Sequence, residues 1–565
     1  MEGLWIKNYD AEVPKHLEYP KKPLFHFLEE EAEKNPDKVC TILKGATISY
    51  KEINDTTDAL AGALAGLGVK KGDRVGIFMP NTPQFVIAYY AVLKAGGVVV
   101  ASNPLYTATE IAHQANDAGI EVMLVMSNFY KTVKEAQADT KIKTVVVTNL
   151  KETLPALTRV LFTLAVEKKG GHRIEGGLPE GDLWMKDLLA KYQPSDRPKL
   201  DIGPDDPCLF QYSGGTTGVP KAAVALHRNI VANSLQIKNW MTNLEADGEV
   251  VLMAIPLFHV YGMVAGMNFG MATGSSLVMV PNPRDLKDVL DNISKYRASI
   301  FPAVPTLYNA INNHPDVLSG KYDLSSIKAC ISGSAALMRE TKDKFEELTG
   351  GKVFEGYGLS EAPTATHCNP MGGVNKTGSI GMPLPDVDCR IIDLDDGETE
   401  MATGEIGEII VKGPQVMRGY HNMPTETANS LREWNGETWL YTGDIARIDE
   451  DGYFYIVDRK KELIKPGGFQ VWPREVEETI SDHPKVLEVG VAGIPDPYRG
   501  ETVKAWVVVK EGETLTKDEI RDFAKEKLAK YKVPSHVEFR DELPKTTVGK
   551  ILRRELVRQH KESEE

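Results

Sequence analysis

Tyr212-Ser213-Gly214-Gly215-Thr216-Thr217-Gly218-Val219-Pro220-Lys221 is the stretch on which the reading of this 565-residue chain turns. Its three glycines let the backbone approach a ligand closely and take positive φ without a Cβ penalty. Successive backbone N–H groups in such a turn form an anion-sized nest. Ser213, Thr216 and Thr217 add hydroxyl donors, and Lys221 adds a positive charge. The apolar run Cys208-Leu209-Phe210 comes before the loop, as a buried strand would. After it, Ile230, Ser234, Ile237 and Met241 recur at helical spacing. The expected layout is therefore strand, phosphate loop, helix.

The common nucleotide-binding loop has a different spacing, with four residues between its outer glycines and then Gly-Lys-Ser/Thr. Here three residues separate Gly214 from Gly218, Pro220 intervenes, and Ala222 replaces the hydroxyl that would hold magnesium. The ten-residue string instead resembles the phosphate loop of the acyl-adenylate-forming enzymes. Those are the acyl-CoA synthetases, the luciferases and the adenylation domains of peptide synthetases.

Bulk properties bound the remaining choices. The length exceeds what one core supports and suggests about two to four structural units. With 42% hydrophobic and 26% charged residues, the composition is that of an ordinary globular chain. A net charge of −14 and a pI near 5.5 argue against a general nucleic-acid surface. The five cysteines, Cys40, Cys208, Cys330, Cys368 and Cys389, are scattered and show no metal-ligand spacing. Free thiols and a cytoplasmic location are expected.

The N-terminus lacks the basic-then-apolar pattern of a signal peptide. The apolar segment 263–279 is broken by Gly, Asn, Thr and Ser, so no membrane span is expected. One segment, 154–169, is a candidate for peripheral contact with the inner membrane face. It carries leucines, valines and a phenylalanine around Arg159, followed by Glu167, Lys168 and Lys169. It reads either as a docked surface helix or as an interfacial one.

Along the chain, strands and helices alternate. Ile53, Leu60 and Leu64 mark a helix, 74–79 a strand, Phe85, Tyr89, Val92 and Leu93 a helix, and 98–101 a strand. Thr107 with Glu110 is a capping box opening a helix to about residue 118, and 121–125 is a strand. This alternation predicts an α/β fold with a doubly wound parallel sheet. The pattern repeats over about 200–380, giving a second such unit. At about 386–450 it changes to short strands and turns, a small β subdomain. A charged stretch at 458–462 marks a border, so the expected division is 1–457 and 458–565.

Four further motifs fit the resemblance, in the family's order. Gly356-Tyr357-Gly358-Leu359-Ser360-Glu361 is similar to its Tyr-Gly-x-Thr-Glu element, with Ser360 retaining the hydroxyl. The resemblance implies that Tyr357 stacks on adenine and Glu361, with Thr217, holds Mg²⁺. Asp444, at the end of Trp-Leu-Tyr-Thr-Gly-Asp, with Arg459, looks like the pair that binds ribose. His259, Tyr261 and Gly262 resemble the acyl-site element, and Gly333, Ser334 and Ala335 the segment lining the adenine and acyl pocket. Lys550, after Gly549, matches the C-terminal adenylation lysine.

The resemblance covers the chain from about residue 48 onward. It implies a large N-terminal AMP-binding and acyl-binding region, followed by a small mobile α/β lid. Lys461 matches the hinge about which that lid rotates, and Lys465 lies on the face expected to form the pantetheine tunnel. The strings around His227 and at 439–465 look most like medium- and long-chain fatty acyl-CoA synthetases, and His227 is carried over as a substrate residue. The implied reaction uses ATP, Mg²⁺ and CoA. A fatty acid becomes acyl-AMP with loss of pyrophosphate, and the CoA thiol then displaces AMP. The family also implies a homodimer. An aryl-CoA ligase and an ADP-releasing kinase or ATPase are the alternatives.

Overall fold

The computed structural model of the chain describes residues 3–213, 220–245, 248–546 and 549–564, with Ser213, Gly468 and Glu564 described by their backbone alone. Among the described residues, the first sheet has eight strands. They run in the order Gly419–Tyr420, Lys221–Leu226, Pro207–Ser213, Val98–Ala101, Arg74–Phe78, Val122–Met126, Thr144–Thr148 and Leu183–Trp184. From Pro207–Ser213 onward every pairing is parallel. Val75, Ile77, Val99, Leu124 and Val146 are fully buried. Near-continuous apolar runs of that kind are what a sheet covered on both faces requires.

Local signals set the helix starts. The predicted capping box forms: Glu110 N–H donates to Thr107 Oγ1 at 3.4 Å, and Thr107 N–H to Glu110 Oε2 at 2.8 Å. A second box, Ser49 with Glu52, opens Tyr50–Gly66. The helix Pro83–Lys94 is buried along its whole length, and even Lys94 is enclosed, its ammonium 2.9 Å from Asp58.

The second sheet pairs Val250–Met253 and Ser276–Met279 with Val39–Leu43 and Ala46–Ser49. Isolated bridges through Ile300 join it to Ala329–Ser332 and Lys352–Leu359. The two units therefore exchange strands. The N-terminal hairpin crosses to the second sheet through Thr41↔Leu277, and the 207–226 hairpin belongs to the first. Chain order alone divides them incorrectly.

A third sheet, antiparallel throughout, holds Asp388–Ile392, Gly407–Lys412, Leu431–Trp434, Glu437–Ile448 and Phe454–Arg459. A border after residue 457 falls inside that last strand, because Asp458 and Arg459 still pair with Ile445 and Asp444. Beyond it, the chain builds a small three-stranded sheet, Val486–Asp496, Gly500–Val509 and His536–Phe539. The helices Pro473–Ser481, Lys517–Lys527 and Arg553–Glu564 accompany it. Its separate apolar clusters centre on Val491 and Trp506.

Candidate active site

The organising loop does not run from a strand directly into a helix. Pro207–Ser213 is followed by a second strand, Lys221–Leu226, antiparallel to the first, with Ser213 opposite Lys221. The helix His227–Trp240 begins only after that strand. Among the described residues, the N-terminus of that helix is therefore separated from the loop by a whole strand. Gly214, Gly215, Thr216, Thr217 and Gly218 lie outside the described residues, as does the Ser213 side chain. Lys221 is ion-paired with Glu426, and its ammonium lies 5.4 Å from the centre of the Tyr420 ring.

Lys352–Leu359 and Ala362–Cys368 form a hairpin whose tip carries Ser360 and Glu361. Gly358 is obligatory there, since a Cβ would sit 1.4 Å from the Thr364 carbonyl oxygen. Tyr357, one residue earlier, donates its hydroxyl to Asp444 Oδ2 at 2.6 Å. The other Asp444 oxygen takes Arg459 Nε at 3.0 Å. Asp444 and Arg459 are direct cross-strand partners, so the ribose-type pair is built by register rather than by a loop. Asp444 raises the affinity of the Arg459 guanidinium for its proton.

Glu361 Oε1 accepts the Tyr420 hydroxyl at 2.7 Å. Among the described residues no cluster of three or more His, Cys, Asp or Glu could cage a metal. A lone, half-buried carboxylate nonetheless suits Mg²⁺, which is commonly held by one or two carboxylates together with waters and substrate phosphates. Glu361 would hold such an ion in that way.

An apolar cavity of about 80 Å³ adjoins these groups. Ile237, Trp240 and Met241 form part of its wall, with His259, Val260, Tyr261, Ala265, Gly333 and Ser334, and it is bounded by Gly356, Tyr357 and Gly358. His259 Nδ1 accepts the Tyr261 N–H at 3.2 Å, and burial pushes its imidazole down to about 4, so it is neutral at pH 7. The Tyr261 hydroxyl is committed to the Ile331 carbonyl at 2.5 Å, leaving the ring as a wall against Gly333.

Four expected residues stand elsewhere. His227 is a core residue, its Nδ1 accepting the Leu24 N–H at 3.0 Å and its imidazole pushed down to about 4 by burial. Gly262 is small for packing, because a Cβ would lie 2.4 Å from the Pro256 carbonyl oxygen. Ala335 is exposed and not part of the cavity wall. Lys465 is exposed, with its N–H donating to Glu501 within the C-terminal unit at 2.7 Å.

The C-terminal unit closes the site. Gly549 has φ +76°, and a Cβ there would lie 2.8 Å from Thr306 Oγ1 in the large region. That close approach brings Lys550 among Arg459, Asp444 and Glu462. Burial, reinforced by Arg459, pushes the Lys550 ammonium down to about 8, while Glu462 and Asp444 oppose the shift. Lys461 lies in a short 3-10 turn, Lys460–Glu462, and with Thr442, Gly443, Asp444, Arg459 and Lys460 lines an open groove. Sequence reasoning missed Tyr420, Glu426 and Thr306, which carry no motif and matter only through contacts distant in sequence. Ile237 and Met241 were legible as a helix face, but not as a cavity wall.

The sequence model described as AMP-binding enzyme matches residues 28–421, and that of the AMP-binding enzyme C-terminal domain matches 475–550. The chain belongs to the AMP-binding enzyme family. It is 43% identical over 560 residues to a long-chain-fatty-acid–CoA ligase of Bacillus subtilis (strain 168), covering 99% of this chain and 98% of that protein. In structure it is similar to ATP-bound MatB from Rhodopseudomonas palustris, with a TM-score of 0.84, 29% identity, and coverage of 97% of this chain and 100% of that one. Against apo MatB from the same organism, at the same identity and coverage, the TM-score is 0.73.

Proposed function

We propose that this member of the AMP-binding enzyme family is an ATP-dependent fatty acid–CoA ligase. The observation that carries the reading is that Tyr357, which lines the apolar cavity, bonds Asp444, which in turn meets Arg459 and Lys550 in the adjoining charged region. The apolar lining of the cavity suits the first carbons of an acyl chain, and the charged region beside it suits a nucleotide. Activation costs mainly orientation and charge repulsion, since a carboxylate must approach a polyanion. Asp444 accepts two hydrogen bonds and would hold the ribose hydroxyls once Tyr357 and Arg459 yield to them. Lys550 would neutralise charge growing on the α-phosphate. A bound Mg²⁺ would supply Lewis-acid stabilisation of the phosphate oxygens. His259, neutral and with its Nδ1 occupied by the Tyr261 N–H, carries its proton on Nε2 and would donate it to position the carboxyl end of the chain. The products are acyl-AMP and pyrophosphate, and then acyl-CoA and AMP.

Lys550 belongs to the C-terminal unit and would leave the site before CoA enters. Rotation about Lys461 would bring the face around Lys465 into its place. The higher TM-score against the ATP-bound neighbour supports assigning the present orientation to adenylation. The decisive assay is pyrophosphate release across a panel of aliphatic and aryl carboxylic acids, with and without CoA. AMP is the expected nucleotide product, and ADP would overturn the reading. Each buried CH₂ adds about 0.8 kcal/mol, so kcat/KM should rise with chain length. A fall beyond about eight or ten carbons would remove the long-chain assignment.

A second surface supports a finer reading, peripheral membrane contact. The helix Ala156–Ala165 buries Phe162 but turns Leu157, Val160, Leu161 and Leu164 outward, at 74%, 55%, 57% and 80% exposure. Its base is fixed by Asn149 Nδ2 to Glu167 Oε1 at 3.1 Å and by Lys151 to Glu167 at 2.6 Å. Exposed Lys168, Lys169 and Arg173 follow. An apolar stripe edged with cations fits the headgroup–acyl boundary of an anionic bilayer. The protein with Leu161→Gln and Leu164→Gln should no longer float with phosphatidylglycerol vesicles that carry the unaltered protein. Equal flotation of both ends the reading. Among the described residues no helix is long and apolar enough to cross a membrane.

A further inference from the structure

One partly buried guanidinium bridges the lid and the large region. Arg553 opens the last helix, three residues after Lys550. Its Nε and Nη2 donate to the two carboxylate oxygens of Glu477, at 2.9 and 2.5 Å, a two-pronged bond inside the lid. Its Nη1 donates to Asp458 Oδ1 at 3.2 Å and also contacts Glu462. Asp458 lies in Phe454–Arg459, a strand of the large region, opposite Ile445 and one residue from Arg459. Its second oxygen accepts the backbone N–H of Arg474, from the lid, at 2.7 Å. The Asp458 side chain is 2% exposed and that of Arg553 17%.

The topology decides which of these bonds survive lid rotation. Glu477 and Arg553 both belong to the lid and move together. Glu462 adjoins the hinge at Lys461. Asp458 stays behind with Arg459 and Asp444. Rotation therefore separates Asp458 from both of its lid donors, the Arg553 guanidinium and the Arg474 N–H. Asp458 then keeps the N–H of Arg459 at 2.8 Å but loses its charged partner, and a buried carboxylate left without its counter-charge is costly. A guanidinium fixed by two prongs also holds its direction better than a flexible ammonium. Resting on the two-orientation reading above, we propose that Arg553 and Asp458 form a clasp. It positions Lys550 for adenylation and must open before thioester formation. Arg553 touches no reacting atom; it is a positioning residue that acts through Lys550.

The test uses the full chain and measures each half-reaction separately. Asp458→Asn removes the charge at constant shape, and Arg553→Lys keeps the charge but loses the fork. Each should slow pyrophosphate release by about 10- to 100-fold, the loss expected for a misplacement near 1 Å. Acyl-CoA formation from supplied acyl-AMP should stay at the unaltered rate or rise. The double variant should be no slower than the slower single one, because both remove the same bond. Trypsin cleavage at Lys460 and Lys461 should accelerate in both variants while their urea midpoints stay at the unaltered value, which separates lid release from global unfolding. Equal loss in both half-reactions, additive losses, or unchanged cleavage would each overturn the clasp. Lys550→Ala, run alongside, separates the two claims. If it depresses both half-reactions equally, the two-orientation reading itself fails.

Discussion

Lys550 should titrate within reach of ordinary buffers. Burial pushes its ammonium down to about 8, Arg459 and Arg553 add to the depression, and Glu462 and Asp444 oppose it. The protonated form is the one that stabilises charge on the α-phosphate. The sign follows: adenylation runs on the protonated fraction and falls as pH rises. With a midpoint near 8, that fraction is roughly nine-tenths at pH 7 and roughly one-tenth at pH 9, about a tenfold decline. A solvated lysine, titrating near 10.4, would give almost no decline over that window.

The assay is single-turnover pyrophosphate release against pH at sub-saturating ATP, so that kcat/KM reports the free enzyme. His259, held near 4, titrates far below this limb and cannot produce it. Lys550→Arg should abolish the limb, because a guanidinium stays charged throughout. Lys550→Ala should flatten the profile at a rate lower by roughly 10²–10³. A limb near pH 8 that persists in Lys550→Arg would assign it to another group and refute the reasoning. A wild-type profile flat to pH 10 would show that the buried orientation of Lys550 is not the one that reacts.

Two neighbouring glycines make a sharp comparison. Gly358→Ala places a Cβ 1.4 Å from backbone and should cost about 3–5 kcal/mol by urea unfolding, whereas Gly356→Ala, whose nearest atom is 3.4 Å away, should be tolerated. Asp444→Ala removes a charge-assisted acceptor worth roughly 1.5–3 kcal/mol and should weaken ATP binding by roughly 10- to 100-fold by calorimetry. Gly549→Ala should slow adenylation selectively, because it combines a φ of +76° with a contact of 2.8 Å to Thr306 Oγ1. Thr306→Ala should restore part of that loss, and no restoration would show that backbone strain alone is responsible.

The sequence carries the regular elements because their causes are local. Thr107 and Glu110 cap one another three residues apart in the chain, and the valines at 98–100 are buried on both faces as a parallel strand requires. What the sequence hides is partnership at long range. Nothing in Val39–Leu43 says that it pairs with residues beyond 270, yet Thr41↔Leu277 places it in the second sheet. The strand after the phosphate loop was invisible for a related reason. Lys221–Leu226 is alanine-rich, without the β-branched pattern of an isolated strand, and pairing with Pro207–Ser213 and Gly419–Tyr420 makes it one. His227 shows the converse. It adjoins a motif string, yet it is buried with its Nδ1 accepting the Leu24 N–H, a packing contact that no local pattern signals.

The charges at the site bear on why a rotating lid would need the proposed clasp. Without nucleotide, the lid brings Lys550 toward a groove that already holds Arg459, Lys460 and Lys461. Arg459 repels it, and Asp444 is shared with Tyr357 and Arg459. A triphosphate in the groove would reverse that balance and favour the closed orientation, but only by its differential affinity for the two states. Loss of pyrophosphate would then weaken the electrostatic hold just when the proposed rotation follows. The bond between Asp458 and Arg553 would supply the remaining hold, one that does not change with the nucleotide. A much stronger clasp would trap acyl-AMP beneath the lid, and a weaker one would leave Lys550 in solvent. Strengthening the clasp should therefore slow the second half-reaction while leaving the first intact, the mirror image of breaking it.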